Sequence, residues 1–387
     1  MISWDVTAPN CGVNGLAALL RREEWRTHPD GERIRQHLHR LLDSRDATIR
    51  MLASMALPLI ISQEELAEDL SYRLSHEDDG SVIEVLTQIM ARHAFADPVG
   101  IDLCLRLLAG QPAWSVLAGI AEDRTTAPNK RHGEISDILL QALLHLYLVR
   151  ATPFASGLIT TWQQTPQHYP VTIGRLVTWT RPYLNPPGEA NPPEQVRAFA
   201  LLTSLTGTCR ALTASAQDTL TSGQTLSAGT SQDLESAAWI THSIAREIYH
   251  ASGAFQLPQD RSEPDQRVVS PSFCAHALPL IESLADIRTA GIAHHLVQTL
   301  AFLSRLEPRR AFLAIAKIVT PGSGYEYESL GETEVLDLID QYLAERREII
   351  LDDSECLGAL RQVLETFVAA GSDRAIHRVQ DLAELFT

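Results

Sequence analysis

Lysine and aromatic side chains are scarce in this chain of 387 residues. Aromatic residues make up 6% of the sequence, and Lys130 and Lys317 are the only lysines among 32 basic residues. Leucine and alanine are abundant instead, and this bias suits helices packed on helices better than β-sheets, which favour β-branched and aromatic residues. We therefore expect an all-α fold.

Positive charge is also in deficit, because the formal net charge at pH 7 is −16. Phosphate binding depends on Lys and Arg, so an acidic chain is a poor general binder of nucleic acid. Attachment to an anionic membrane surface is disfavoured for the same reason. We expect neither nucleic acid nor membrane as a partner, although a local basic groove stays open as an alternative.

Closely spaced cysteine pairs are missing. The sequence has no C-x-x-C, and its cysteines are Cys11, Cys104, Cys209, Cys274 and Cys356. Most of them stand among leucine and alanine, so we expect buried, reduced thiols. The first ten residues do not resemble a signal peptide, and no apolar run reaches transmembrane length. We expect a cytoplasmic protein, and a helical pattern that begins almost at once is typical of a piece of a larger chain.

Motifs of catalysis and metal binding are absent as well. The sequence contains no H-E-x-x-H and no G-x-S-x-G. The glycine-containing segment 321–324 is followed by Tyr325 and Glu326, not by the Lys-Ser/Thr of a phosphate loop. Glu247 and His250 form one E-x-x-H, but helical di-iron sites need two such motifs and two further glutamates. We expect a solvated or locally hydrogen-bonded helix face there, and we predict no catalytic residue, no cofactor and no metal.

What the sequence does contain is a repeated helical pattern. In the stretch 41–60, apolar residues recur on one helical face, namely Ile49, Ala53, Ala56, Leu57 and Ile60. Leu74 and Val82 repeat Leu41 and Ile49 at a distance of 33 residues. A fainter third copy, with Leu108 and Val116, follows 34 residues later. Periods of this length built from helix pairs are typical of stacked helical repeats.

The same stretch resembles the second helix of a HEAT repeat. It has two leucines, an Asp-containing turn, a β-branched residue followed by arginine, and small residues before a leucine. The matching residues are Leu41, Leu42, Asp46, Ile49, Arg50, Ala53, Ala56 and Leu57. The resemblance implies an α-solenoid of antiparallel helix pairs, although the later copies lack the arginine.

The regular pattern does not extend through the whole chain. It covers residues 1–150, which we predict to be HEAT-like repeats. Prolines then recur from 152 to 194, and the segment 217–233, rich in Ser, Thr and Gly, predicts a flexible loop. We therefore predict an irregular helical region over 151–272 and a C-terminal helical bundle or repeat segment over 273–387.

The C-terminal region carries a second resemblance. Residues 311–350 and the tail 357–386 are similar to the C-terminal helical region of large bacterial multidomain NTP-binding proteins, some of them linked to antiviral defence. In such proteins the chemistry lies in other domains, so the resemblance brings no catalytic residue to this chain. It implies an accessory arm that forms the C-terminal part of a larger bacterial protein.

Together these features predict a non-catalytic protein-interaction scaffold or sensor arm. Its partner is expected to be another protein or other domains of a larger chain, because repeat solenoids present extended surfaces and need no active site. Aromatic and arginine side chains dominate interface energetics, so the candidate contact residues are Tyr325, Tyr327, Arg309 and Arg310. Burial of both tyrosines in the helical core would overturn this choice.

Two other functions stay open. Some HEAT-like proteins, including a class of DNA glycosylases, cradle DNA in a basic concave groove. The candidate lining here is an N-terminal arginine cluster made of Arg21, Arg22, Arg26, Arg33, Arg35 and Arg40. Interleaved glutamates and the net charge oppose this alternative. The third function is an enzyme built on the middle region, for which irregular connections between helices are the simpler explanation.

Overall fold

In a computed structural model of the chain, described for residues 8–93, 96–109, 130–187, 191–255, 268–287, 290–319 and 329–382, every regular element is a helix. The expected all-α class is therefore confirmed over these ranges. The chain divides into two compact units, Met1–Thr160 and Thr161–Thr387. The finer division into three regions, made from the sequence, stays a prediction.

The helices of the first unit are short. They are α1 Ala8–Leu20, α2 Glu23–Arg26, α3 Pro29–Leu41, α4 Ala47–Ser54, α5 Leu57–Ile60, α6 Leu66–His76, α7 Gly80–His93, α8 Pro98–Ala109 and α9 Lys130–His145. A π-helical turn, Leu146–Arg150, follows α9 and precedes α10, Pro153–Gln164, in which the boundary between the units falls.

The second unit contains longer helices. They are α11 Pro170–Leu184, α12 Pro193–Thr221, α13 Ala228–Ser252, α14 Pro271–Ala285, α15 Ala290–Leu303, α16 Pro308–Ile318, α17 Ser329–Glu345, α18 Arg347–Leu351, α19 Ser354–Ala369 and α20 Asp373–Asp381. The predicted loop over 217–233 is thus too long, because α12 continues to Thr221 and α13 already begins at Ala228.

Helix starts follow local rules of the sequence. The side chain of Asp46 accepts a hydrogen bond from the Thr48 amide at the start of α4, and Asp353 does the same for two amides of α19. Such caps satisfy amides that have no partner inside the helix. Pro271 and Pro308 occupy first turns, where a missing N–H costs nothing.

One helix in the first unit is capped from a distance. The carboxylate of Asp102, on α8, is buried and accepts hydrogen bonds from the amides of Phe154 (3.1 Å) and Ala155 (3.2 Å) at the start of α10. A carboxylate at a helix N-terminus satisfies unpaired amides and interacts favourably with the helix dipole. Asp102 therefore joins the start of α10 to α8.

In the first unit, several helices pack on helices that lie two or three positions away along the chain. Helix α4 contacts α1 and α7, and α7 contacts α9, while α6 packs on α8. The hydroxyl of Ser71 lies 3.1 Å from the thiol of Cys104, which is 33 residues further on. A Cβ added to Gly100 would lie 2.3 Å from the Cβ of Ala67. Helices α6 and α8 therefore pack closely at Ala67 and Ser71.

The first buried cluster of this unit lies between α1, α3 and α4. Its members are Val13, Ala17, Leu20, Leu38, Leu52 and Ala56. All are apolar, and those of α1 follow helical spacing, so burial of these side chains supplies the driving force for packing the helices together.

The second unit also shows alternating contacts. Helix α13 packs on α11 and α15, and α15 contacts α17. A second series runs through α12, α14, α16 and α19, and neighbouring helices such as α13 and α14 join the two series. Helices such as α13 and α15 therefore contact both a next-but-one helix and a sequence neighbour.

Four of the five cysteines are buried free thiols, as expected, while Cys11 is exposed. Over the described residues, no single helix has the length and apolar composition of a membrane span. The bent pair Asp137–Arg150 and Pro153–Gln164, whose axes differ by 108°, passes that test only when its two halves are taken together.

Candidate functional site

Two of the residues predicted to make contacts, Tyr325 and Tyr327, lie outside the described residues. The other two, Arg309 and Arg310, form ion pairs within the chain. Arg309 contacts Asp353 (2.6 Å) and Glu355 (2.5 Å) at the start of α19. Arg310 contacts a glutamate of α14 at 2.9 Å. These contacts join α16 to α19 and α14, and a role in partner binding stays a prediction for all four residues.

The N-terminal arginine cluster is partly neutralised by its neighbours. Arg33 pairs with Asp30 at 3.3 Å, and Arg35 pairs with Glu32 at 2.8 Å. The interleaved carboxylates therefore compete with phosphate for the same guanidinium groups. Arg35 also lines an open depression of about 460 Å³ together with Glu32, Gln36, His39, Arg40 and Ile60.

For the E-x-x-H segment a solvated or locally hydrogen-bonded helix face is expected, and the burial of Glu247 contradicts only the solvated form. The Glu247 side chain is fully buried in the second unit and is held by two arginines. Arg181, on α11, donates to one carboxylate oxygen at 2.6 Å, and Arg246 donates to the other at 3.0 Å. The carboxylate therefore acts as a structural anion between α11 and α13. Over the part of the chain that the structure describes, no group of three metal-binding side chains comes together.

A cleft of about 310 Å³ lies in the first unit, where α3, α4, α6 and α7 meet at their turns. We call it the turn cleft. It is lined by Leu42, Asp43, Arg50, Ser54, Tyr72, Arg73, His76, Glu77, Asp78, Val82 and Leu86. Leu42, Val82 and Leu86 are buried, so an apolar floor lies beneath a polar rim.

Two partly buried ion pairs form the inner walls of the turn cleft. Arg50 donates from Nε and Nη2 to the two carboxylate oxygens of Glu77, at 2.9 and 2.8 Å. Burial alone would raise the pKa of Glu77, but Arg50 and the amides of Asp79 and Asp78 favour the ionised form and hold that pKa below its usual value. The Glu77 carboxylate is therefore a fixed negative charge at neutral pH.

The second wall is organised around Arg73, whose side chain is 10% exposed. Its guanidinium contacts Asp69 at 2.7 Å and Asp43 at 3.2 Å. Asp43 belongs to the turn after α3, so this contact joins consecutive helix pairs. Both guanidinium groups in the turn cleft are therefore already committed to carboxylates.

The rim of the turn cleft is aromatic and acidic. Tyr72 is 60% exposed, and its ring lies 4.5 Å from the ring of His76, centroid to centroid. The Asp43 side chain is 68% exposed, and that of Asp78 is 99% exposed. Aromatic rings that are large, exposed and held in place are common anchors in binding surfaces.

Helix α8, which packs on α6, also carries exposed apolar side chains. Val99 is 76% exposed and Leu103 is 48% exposed, and their i, i+4 spacing places them on one side of α8. Isolated exposed apolar residues are ordinary, whereas several on adjoining helices indicate an interaction surface. Sequence reasoning passed over Tyr72, Val99 and Leu103, because their exposure depends on how α8 covers α6.

Comparison with known proteins adds no functional assignment, since neither a protein-family model nor a curated protein matches the chain.

Proposed function

We propose that the chain is a non-catalytic protein-interaction scaffold or sensor arm, built as an α-solenoid of antiparallel helix pairs. The alternating helix contacts in both units support this architecture. The pairing of Ser71 with Cys104 at a separation of 33 residues supports a repeat of that length. A HEAT-like character of residues 1–150 rests on the sequence pattern alone.

The observation that carries the functional proposal is the exposure of large side chains on α6 and α8. Tyr72, Val99 and Leu103 are large apolar side chains left in solvent on two helices that pack on each other. Leaving such groups in water forgoes the free energy of burying them, on the order of 1.5–3 kcal/mol for a full side chain. A protein partner that covers them recovers this free energy.

We also propose that the chain acts as part of a larger protein. The loose similarity of residues 311–350 to the helical region of bacterial NTP-binding defence proteins supports a role as an accessory arm of a larger cytoplasmic protein. Its partners are then another protein or the remaining domains of that protein. The acidic net charge of −16 supports neither nucleic acid nor an anionic membrane as the main partner.

Site-directed photocrosslinking tests this proposal. The crosslinking amino acid p-benzoylphenylalanine replaces Tyr72 on α6 in one variant and Leu220, which is 49% exposed on α12, in the control. Both variants are irradiated in lysate of the source cell, and crosslinked proteins are identified by mass spectrometry. The expected result is one protein that is captured at position 72 and not at position 220.

The captured protein is then prepared in pure form, and its affinity for the full chain is measured. Tyr72→Ala and Leu103→Ser are each expected to weaken binding about tenfold or more, as for an interface anchor, while Leu220→Ser leaves the affinity unchanged. Identical capture at positions 72 and 220, or an affinity that is insensitive to both surface variants, contradicts the proposal.

A further inference from the structure

We infer that the turn cleft binds a cationic side chain, an arginine or a lysine, presented by a segment of the protein partner. This inference rests on the proposed function and names the chemistry of the partner at one site. It concerns Asp43 and Asp78 at the rim, Tyr72 and His76 beside them, and the apolar floor beneath.

Negative charge exceeds positive charge among the ion-paired groups around the turn cleft. Four carboxylates, those of Asp43, Asp69, Glu77 and Asp78, surround two guanidinium groups, those of Arg50 and Arg73. These ion-paired groups therefore carry a surplus of two negative charges, and the carboxylate of Asp79 also acts on Arg50. Charged surfaces attract ligands of opposite sign and repel ligands of the same sign.

The negative groups around the turn cleft are more exposed to solvent than the positive groups. The positive groups face inward, since the Arg50 and Arg73 side chains are 18% and 10% exposed and each is paired with a carboxylate. The negative groups face solvent, since Asp43 is 68% and Asp78 is 99% exposed. These two carboxylates repel an anionic ligand and attract a cation, although each also contacts one guanidinium group, Asp43 with Arg73 at 3.2 Å and Asp78 with Arg50 at 4.0 Å.

The aromatic rim suits the same occupant. The Tyr72 ring is more than half exposed and lies beside the His76 ring, and the Nδ1 atom of His76 lies 2.7 Å from the Tyr72 carbonyl oxygen. This contact holds the two rings together at one end of the turn cleft. An ammonium or guanidinium group over the face of a tyrosine gains cation–π attraction, which increases when water is excluded.

The floor accommodates the stem of a long basic side chain. Leu42, Val82 and Leu86 are buried beneath the rim. Lysine and arginine carry three or four methylene groups that pack on apolar surface while the charged head stays near water or a carboxylate. The turn cleft, at about 310 Å³, has room for one such side chain and part of the adjoining backbone.

The test uses the full chain and two fluorescein-labelled peptides. One has the sequence Gly-Leu-Arg-Leu-Gly-Leu-Arg-Gly, and the other carries citrulline at both arginine positions. Citrulline keeps the shape of arginine and removes its charge. Fluorescence anisotropy at low ionic strength is expected to show binding of the arginine peptide that is about tenfold tighter than that of the citrulline peptide, because hydrogen bonds to charged groups are lost. Added salt is expected to weaken the difference.

Substitutions at the rim test whether the arginine peptide binds in the turn cleft. Asp43→Asn and Asp78→Asn remove charge at the rim with little change of shape, and each is expected to weaken binding of the arginine peptide severalfold. Tyr72→Leu keeps an apolar group and removes the ring, with an expected loss of about threefold. The matched control is Asp352→Asn, an exposed aspartate in a turn of the second unit, for which binding stays unchanged. Circular dichroism melts confirm that each variant is folded.

The outcomes separate this inference from the proposed function. Equal affinity for the two peptides, no measurable binding of either, or equal losses in Asp43→Asn and Asp352→Asn overturns the assignment of a cationic partner. If neither Asp43→Asn nor Asp78→Asn changes the affinity for a partner captured at position 72, the assignment of a cationic partner is also overturned. The proposal of a protein-interaction scaffold is not affected by that result. Identical capture at positions 72 and 220 contradicts the proposed function itself.

Discussion

Arg50 and Glu77 form a two-point ion pair across 27 residues of sequence, with both donor–acceptor distances below 3 Å. Arg50 lies on α4, and Glu77 directly follows α6. The ion pair therefore links α4 to the turn after α6. The two side chains are 18% and 10% exposed. Solvent therefore screens this pair much less than it screens an ion pair at the surface.

Arg50→Met is expected to lower the free energy of unfolding by about 3 kcal/mol, because it leaves the Glu77 carboxylate buried without its main partner. Urea denaturation followed by circular dichroism measures this loss. The matched control is Arg361→Met, which breaks an exposed i, i+4 pair with Glu365 and should cost no more than about 0.5 kcal/mol. Equal losses in the two variants would contradict the structural role of the buried pair.

Glu247→Gln tests the second buried carboxylate. The change removes the charge to which both Arg181 and Arg246 donate, and we expect a loss of about 2–3 kcal/mol of stability, since hydrogen bonds to a charged acceptor are replaced by weaker ones. Arg181→Met should cost a similar amount, and the double variant should cost less than the sum of the two changes. Additive losses would show that the two residues do not interact.

His295 gives the second unit a pH-dependent stability. Burial, with further contributions from His242 and His294, lowers its pKa from 6.5 to about 4. The unfolded chain therefore binds a proton at higher pH than the folded chain does. Stability is full above pH 6.5 and falls as the pH drops from 6.5 towards 4.

His295→Phe is expected to remove about 2 kcal/mol of the stability difference between pH 7.5 and pH 4.5. The variant keeps a ring that can stack on Tyr249, as His295 does at 5.2 Å. Unfolding free energies of both chains at the two pH values measure the effect. His37→Phe, an exposed position on α3, serves as the control, and an equal effect in both variants would rule out His295 as the source.

The thiols provide a check on the packing of both units. Cys11 is exposed and the other four cysteines are buried, and burial raises the pKa of Cys209 to about 12. The thiolate is the reactive form, so a thiol reagent at pH 7.5 should modify Cys11 quickly in the native chain and all five residues in urea. Cys11→Ser should abolish the fast phase, and a second fast thiol in native conditions would contradict the packing.

Much of the fold can be predicted from local features of the sequence. Leucine and alanine at a helical period predict an all-α fold, and every regular element in the described ranges is a helix. The 33-residue repeat that the spacing of Leu41 and Leu74 indicates stays a prediction. Proline in a first turn, as at Pro308, marks where a helix begins. These features depend on a few neighbouring residues or on a simple period, so one sequence is enough to reveal them.

The functional surfaces cannot be predicted in the same way. Glu247 is buried because Arg181 approaches it from a helix 66 residues earlier, and no local pattern indicates that contact. Tyr72 stays exposed because α8 covers Ala67 and Ser71 on a different side of α6. The turn cleft likewise brings together side chains from four helices and their turns, so its charge surplus exists only after folding.

The distant cap of α10 has a kinetic consequence. Asp102 stands 52 residues before the first amide that it caps, at Phe154. Bringing these groups together requires closing a long stretch of chain, whose entropy must be lost before the hydrogen bonds form. The start of α10 therefore reaches its final state late in the folding of the first unit. Asp102→Ala should accelerate unfolding much more than it slows folding.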